Sequence, residues 1–588
     1  MHRLPCTRVR IILKALLHSR EATRLEARQL VTVPLAAMQI SGGRFAVRNA
    51  SPTRMVRLFL GAHAPGLCAS VTAASSSGGG SAATAAPAAD LVSWVQEAGG
   101  STAGVVVRRD ESGFGLAAAQ DCGPGATLIS LPQRCHLTYD GSTDPRLLAL
   151  IDQVPAELWG AKLALQVVAH RLLGQASPYA AYVNNLPMGV AGLPIFFNGE
   201  ALGTLQYPPV TEQVKKRCRW LLSFTQQVLG PLRGTDRDPF EGAEVDANAL
   251  GWALAVVTSR AFRTRGPGQP ASLLPLVDMS NHSFEPNAKV VPGPGGSMHM
   301  VALRELHAGE DVLISYGGLS NDFLLLDYGF LVPGNLYDTV QLRFDRGLIE
   351  AAKAVAGVGS TGGQADDPTS DELPPLPAWQ QRELAALQLA GPDANTEVNI
   401  RRVSAQGQAA EAAAGAAAGS PADARLLAAL RVLCAPSEAA LCGRSGAERL
   451  GRWDAPLAAP AAELAALRTL TGLCAIALSQ FKGTVEEDIA LLAASKAAGQ
   501  QAQQQGGEQQ EQQRQLTPDE ELAVRFRMDK KELLLEALAI TSRRIKQLAA
   551  AASPSGSGGG KAAGGKAAGG SKGKVPASKG GGRGFAKP

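Results

Sequence analysis

The sequence predicts an α+β fold: a domain of short β-strands with a helical insert, followed by an all-α lobe. Three observations predict it. Runs rich in β-branched residues, Val105 to Val107 and Thr127 to Ile129, are separated by glycine turns, as in hairpins. Apolar spacing is helical from Glu157 to Phe262, and short strands return between Ala288 and Ile314 around a Gly309-Glu310 turn. Beyond Asp338 the periodicity is helical again, interrupted by low-complexity stretches.

Taken in order, ordered sequence starts near Asp90 with LVSWVQEAGG, a short helix that turns Trp94 inward. The helical patterns Glu157 to Leu173, Val210 to Val228 and Ala247 to Phe262 make an insert of about 150–258 within a domain of 90–335. A helical lobe of 340–550 follows, with amphipathic helices over Ala461 to Phe481 and Glu520 to Ala549. Gly357 to Pro377 and Ser404 to Ala422 are too poor in large apolar side chains to pack and are read as loops. The Gln/Gly run from Gln500 to Gln515 is read as a linker.

The chain has 588 residues and a net charge of +5, and the charge sits at its ends. Up to Ala89 there are ten Arg and one Lys against Glu21 and Glu26, so residues 1–85 read as a targeting leader. No acid follows Glu536, and 551–588 reads as a flexible basic tail. The middle is acidic on balance, which excludes a basic core built for nucleic acid. Eight scattered cysteines without a C-x-x-C pair exclude a zinc cluster and a disulfide framework. No uninterrupted apolar run reaches the roughly 20 residues that span a bilayer, and a soluble chain is expected.

Two segments carry the chemistry. In LLPLVDMSNHSFEPNAKV, Asp278, Asn281 and His282 interrupt an apolar stretch. In DVLISYGGLSNDFLLLDYGFLVPGN, Tyr316 closes a strand-like run, and Tyr328 follows twelve residues later beside Gly329 and Phe330. Buried amides, imidazoles and phenols each need a partner, so such clusters line sites. Together the segments resemble the Asn-His and Tyr-Gly motifs of the SET-domain methyltransferases, most closely the Rubisco large-subunit lysine methyltransferase subfamily. LPIFFNGEALGTLQY from Leu193, FKGTVEEDIALL from Phe481 and FRMDKKELLLEAL from Phe526 extend the resemblance over roughly Asp90 to Ala550.

The resemblance implies a threaded SET domain and a helical substrate-binding lobe, with S-adenosyl-L-methionine as co-substrate and no metal. It makes Tyr316 the catalytic tyrosine, orienting the target amine. Asn281 and His282 would hold the cofactor, together with Ser259, Arg260, Tyr328 and Phe330. Phe262, Asp278, Tyr328 and Arg260 would line the substrate channel. In the first cofactor loop the family carries Glu-Gly-Leu-Gly, whereas this chain reads Glu111-Ser112-Gly113-Phe114-Gly115, which leaves Ser112, Gly113 and Phe114 as backbone contacts. His136, His170 and His307 have no partner motif and are read as core or surface residues.

The implied activity is protein-lysine N-methylation in the chloroplast stroma, with mitochondrion or cytosol as alternatives. Rubisco large subunit or fructose-bisphosphate aldolase is the implied substrate, and the enzyme is expected to be a monomer without nucleic-acid or membrane partners. A different target, including histidine, is the second enzymatic reading. A non-catalytic SET-fold binding module is the reading from another class, and the departure at Ser112 is its support.

Overall fold

The computed structural model describes residues 87–110, 113–264, 270–359, 373–391, 394–403, 419–504 and 515–552. The leader, Glu111, Ser112 and the basic tail lie outside them.

Strand β1 (Val105–Asp110) and β2 (Gly113–Ala118) form an antiparallel hairpin, with Asp110 opposite Gly113. Strand β3 (Thr127–Leu131) enters a second sheet. The helical insert comes next, and its α-helices include Pro145–Ile151, Trp159–Leu173, Ala180–Asn184, Gly199–Thr204, Pro208–Phe224 and Ala247–Arg260. Aspartates start several helices by accepting an orphan backbone N–H, as when Asp246 takes Ala249 N–H at 2.8 Å. The chain then returns through β4 (Ala261–Phe262), β5 (Ser272–Leu273), β6 (Asn281–His282), β7 (Ala288–Pro292), β8 (Met298–Ala302) and β9 (Leu313–Ile314). Strand β8 sits between β3 and β7, so the sheet is closed across the whole insert.

One pairing is parallel: β6 lies on β9, with Asn281 opposite Leu313 and His282 opposite Ile314. It brings the two polar segments side by side. Buried Asn287 locks the arrangement, accepting Leu313 N–H at 2.8 Å and donating to Asp311 O at 2.7 Å.

The C-terminal lobe is mostly helical, as expected, but it is not all-α. Strand β10 (Thr339–Arg343) pairs with β11 (Glu397–Arg401), placing a two-stranded ladder inside it. Val398 and Ile400 point into its core, which explains a strand between two stretches that read as loops. Ser420 and Ala422, at the end of the second stretch, are buried too. A further departure is the helix Val485–Gln504, which runs into the segment read as a linker. A capping box starts it: Glu487 N–H donates to Thr484 Oγ1 at 3.2 Å and Thr484 N–H to Glu487 Oε2 at 3.0 Å. Ala and Gln then have enough helix propensity to continue. Thr517 and Glu520 form the same box at the head of Pro518–Ala552.

The helix Pro460–Ser479 is long and apolar enough by composition to cross a bilayer. It is instead the central helix of the lobe, with Leu467, Leu470, Leu473 and Cys474 in the core.

Two hydrophobic cores result. The first joins the strands to the insert helices Trp159–Leu173 and Ala247–Arg260. The second belongs to the lobe, yet it also holds Phe197, Leu205, Tyr207, Val210 and Val214 of the insert and Leu325 and Leu326 of the second motif. The segment that carries Tyr328 therefore packs between the two cores.

Candidate active site

Tyr316, Tyr328, Phe330 and His282 meet in one aromatic array. Tyr316 stacks on Tyr328 with centroids 4.7 Å apart at 22°, and His282 lies 5.1 Å from Tyr316. Phe330 stands 6.2 Å from both His282 and Tyr328. Phe284 and Tyr337, which the sequence did not single out, continue the row outward: His282 to Phe284 is 4.6 Å and Phe284 to Tyr337 is 4.9 Å.

Each member is held by local structure. Tyr316 follows β9, and its phenol donates to Ser280 O at 2.8 Å. Burial raises its pKa well above the ordinary tyrosine value, against the opposing pull of Arg260, so the hydroxyl stays a neutral donor. Tyr328 ends a π-helical turn, Leu324–Tyr328, and Gly329 takes the left-handed conformation (φ 78°) that follows it. Such turns carry one extra residue and recur at functional positions. Arg217 of the insert satisfies this turn, donating to Leu326 O at 2.9 Å and pairing with Asp327 at 2.6 Å.

His282 accepts the Tyr316 backbone N–H on Nδ1 at 3.1 Å, which leaves the proton of the neutral ring on Nε2. That Nε2 is buried and has no partner in the protein. Burial lowers the His282 pKa from 6.5, favouring this neutral form. The stability it contributes is fully present above pH 6.5 and is lost as the pH falls through the lowered value. Asn281 lies over the hairpin that carries the first loop, its Nδ2 3.3 Å from where a Cβ on Gly115 would be. Gly113, with φ 118°, faces open space, and Phe114 packs beside it under Arg109. The hairpin that carries Gly113 and Phe114 is thus brought against Asn281, next to His282, at Gly115. Ser112 lies outside the described residues.

Arg260 and Asp278 form a charged pair close enough to Tyr316 to act on its phenol. Arg260 Nη1 donates to Asp278 O at 3.1 Å and reaches its Oδ2 at 3.5 Å. Tyr182, a fully buried insert residue, donates to the same Oδ2 at 2.7 Å. Burial raises the Asp278 pKa, and Arg260 and the Tyr182 hydroxyl hold it down. Its Oδ1 is buried without a partner. Sequence gave no signal for Tyr182, which lies 96 residues before Asp278.

Two further predicted residues, Ser259 and Phe262, contact their own helix and the first core. The Ser259 hydroxyl turns back to its own helix, donating to Ala255 O at 2.8 Å, and Thr258 instead reaches Asp327 O at 3.3 Å. Phe262, on β4, packs against the first core, and among the described residues no ring–ring contact joins it to the array.

The strands and the paired motifs define a SET domain. Residues 113–317 match the SET domain family model, and 378–534 match that of the Rubisco LSMT substrate-binding domain. The chain carries both of these domains, in that order.

Among individual proteins, it is 26% identical over 295 residues to the actin-histidine N-methyltransferase of Canis lupus familiaris, covering 48% of each chain. It is 24% identical over 469 residues to that of Homo sapiens, covering 76% of this chain and 67% of the human one. The chain spans about half the length of most of the curated relatives it matches. Its fold matches the structure of Rubisco LSMT bound to AdoMet with a TM-score of 0.52 at 20% identity, over 79% of this chain and 93% of that one. It also matches the SET domain of LSMT bound to lysine and AdoHcy, with a TM-score of 0.51 at 19% identity, over 79% and 92%.

Proposed function

We propose that the protein is an S-adenosylmethionine-dependent protein-lysine N-methyltransferase of the chloroplast stroma. Its substrate would be a folded protein such as the Rubisco large subunit or fructose-bisphosphate aldolase, docked on the C-terminal lobe. The observation that carries the reading is the array itself: a neutral phenol, Tyr316, fixed between Tyr328 and a histidine whose remaining N–H is unspent.

The residues present fit the cofactor. His282 Nε2–H offers a buried donor, Phe330 an aromatic face for a purine, and Gly113 an open backbone. When bound, S-adenosylmethionine supplies an electrophilic methyl group on a sulfonium. The protein's part is to hold an uncharged amine in line with it, exclude water and stabilise shifting charge. Tyr316 orients the amine through its oxygen, and the stacked Tyr328 keeps that oxygen in place. The aromatic wall favours the methylene stem and cationic product of a lysine.

Transfer of labelled methyl to a stromal extract by the full chain, with the modified residue located by mass spectrometry, tests the reading. Label on a lysine of a stromal protein is the expected result, and label on a histidine would replace it with the second reading. That second reading draws on the actin-histidine N-methyltransferases among the relatives. His282→Ala is expected to weaken S-adenosylhomocysteine binding roughly tenfold, the loss of one buried hydrogen bond of about 1.4 kcal/mol. Calorimetric titration checks it, and unchanged affinity would remove His282 from the cofactor site. In wild type the same affinity is expected to be flat above pH 6.5 and to fall in acid, as a second proton on Nδ1 ends its bond to the Tyr316 N–H and releases the ring from its place.

A further inference from the structure

The second motif does not end at Phe330. It continues into a closed loop, residues 321–338, whose neck is tied by buried groups. Asn321 N–H donates to Asp338 Oδ1 at 2.9 Å, and Asn335 Nδ2 donates to Asn321 Oδ1 at 3.1 Å. The C-terminal helix Pro518–Ala552 supplies the rest of the knot. Asn321 Nδ2 donates to Asp529 Oδ2 at 3.0 Å, and Lys530 Nζ pairs with Asp338 at 2.7 Å and also contacts Asp322. At the far side of the loop, Gly329 lies directly against Gly192 of the insert. A Cβ on Gly192 (φ 76°) would overlap the Gly329 carbonyl oxygen, and one on Gly329 would lie 2.6 Å from Ala191 O. Leu522 of the same C-terminal helix sits over Gly192, 3.1 Å from that Cβ position.

We propose that Gly192, Asp529 and Lys530 are positioning residues for the site: they seat the loop that presents Tyr328 and Phe330, and they couple that seat to the C-terminal lobe. Tyr328 and Phe330 flank Gly329 on either side, so displacing this one residue moves both rings. Neither ring is anchored by a side-chain hydrogen bond of its own among the described residues, and their placement follows the backbone. The lobe that would receive the protein substrate thereby shares a helix with the wall of the aromatic site. Ligand at the array should steady that helix, and the helix should steady the array.

This inference rests on the cofactor reading above, and the test separates the two. Gly192→Ala and Gly189→Ala change the same surface loop, but a Cβ on Gly189 meets nothing within 4 Å. In the full chain, Gly192→Ala is expected to weaken S-adenosylhomocysteine binding roughly three- to tenfold through a misplaced ring. Gly189→Ala should bind and melt as wild type, whereas Gly192→Ala, strained by its φ and its Cβ overlap, should melt lower, so affinity is compared at a temperature where both variants are folded. Hydrogen exchange of Pro518–Ala552 is expected to slow when S-adenosylhomocysteine binds wild type, and to slow less in Gly192→Ala. Equal affinity in both variants, with exchange in that helix indifferent to ligand, would overturn the coupling and leave the cofactor site standing. No binding to wild type at all would overturn both.

Discussion

Tyr316→Phe is expected to lower methyl transfer roughly 10²- to 10³-fold, the usual cost of one pre-organised polar contact at the reacting centre. Affinity for S-adenosylhomocysteine should change little. The hydroxyl is spent on Ser280 O, and the ring, stacked on Tyr328, survives the substitution. Its high pKa keeps it from acting as a base, so the loss is one of orientation at every pH. Single-turnover rates set beside a binding titration check this. A parallel fall in both quantities would make Tyr316 a binding residue.

Lys530→Met is expected to destabilise the protein by roughly 3–5 kcal/mol, the cost of stripping one partner from a buried ionic group. Lys530 is fully buried, as is the Asp338 side chain it neutralises, and Asp322 is nearly so. Attraction to both carboxylates outweighs burial and raises the lysine pKa. The ammonium also donates to Thr339 O at 2.6 Å and lies over the Tyr207 and Phe526 rings. Without it, two carboxylates face each other in an apolar setting. Chemical denaturation measures the loss, and adding Asp322→Asn should recover part of it, since the three groups act as a unit. A loss under about 1 kcal/mol would mean that water reaches the cluster.

Much of this was legible in the sequence, for identifiable reasons. The helices of the insert and lobe announced themselves by apolar period, and the short strands by β-branched runs between glycines. Asn281, His282, Tyr316 and Tyr328 stood out because polar groups inside apolar runs are costly without a purpose. What escaped was long-range. Tyr182 meets Asp278, and Lys530 meets Asp338 across 192 residues, with no local pattern to join either pair. Ser259 was read as a cofactor contact by resemblance, and its hydroxyl bonds its own helix, as a serine near a helix end can. Strand β11 was hidden because only five residues, Glu397–Arg401, carry the period between two low-complexity stretches.

The pairing of β3 with β8 bears on how the chain reaches its fold. Thr127 and Val301 are partners about 170 residues apart, and the helices between them are each closed by backbone hydrogen bonds local in sequence. Local helical contacts form quickly, whereas distant strand pairs wait on chain closure. During synthesis the insert can assemble while β3 still lacks its neighbour. The parallel β6–β9 ladder needs residues that emerge later still. Pulse-labelled refolding should therefore protect the amides of Trp159–Leu173 well before those around His282 and Tyr316. Simultaneous protection would argue for one concerted step. In the expected order, the scaffold stands before its chemistry exists, and the paired Asn-His and Tyr-Gly segments are among the last parts of their domain to take shape.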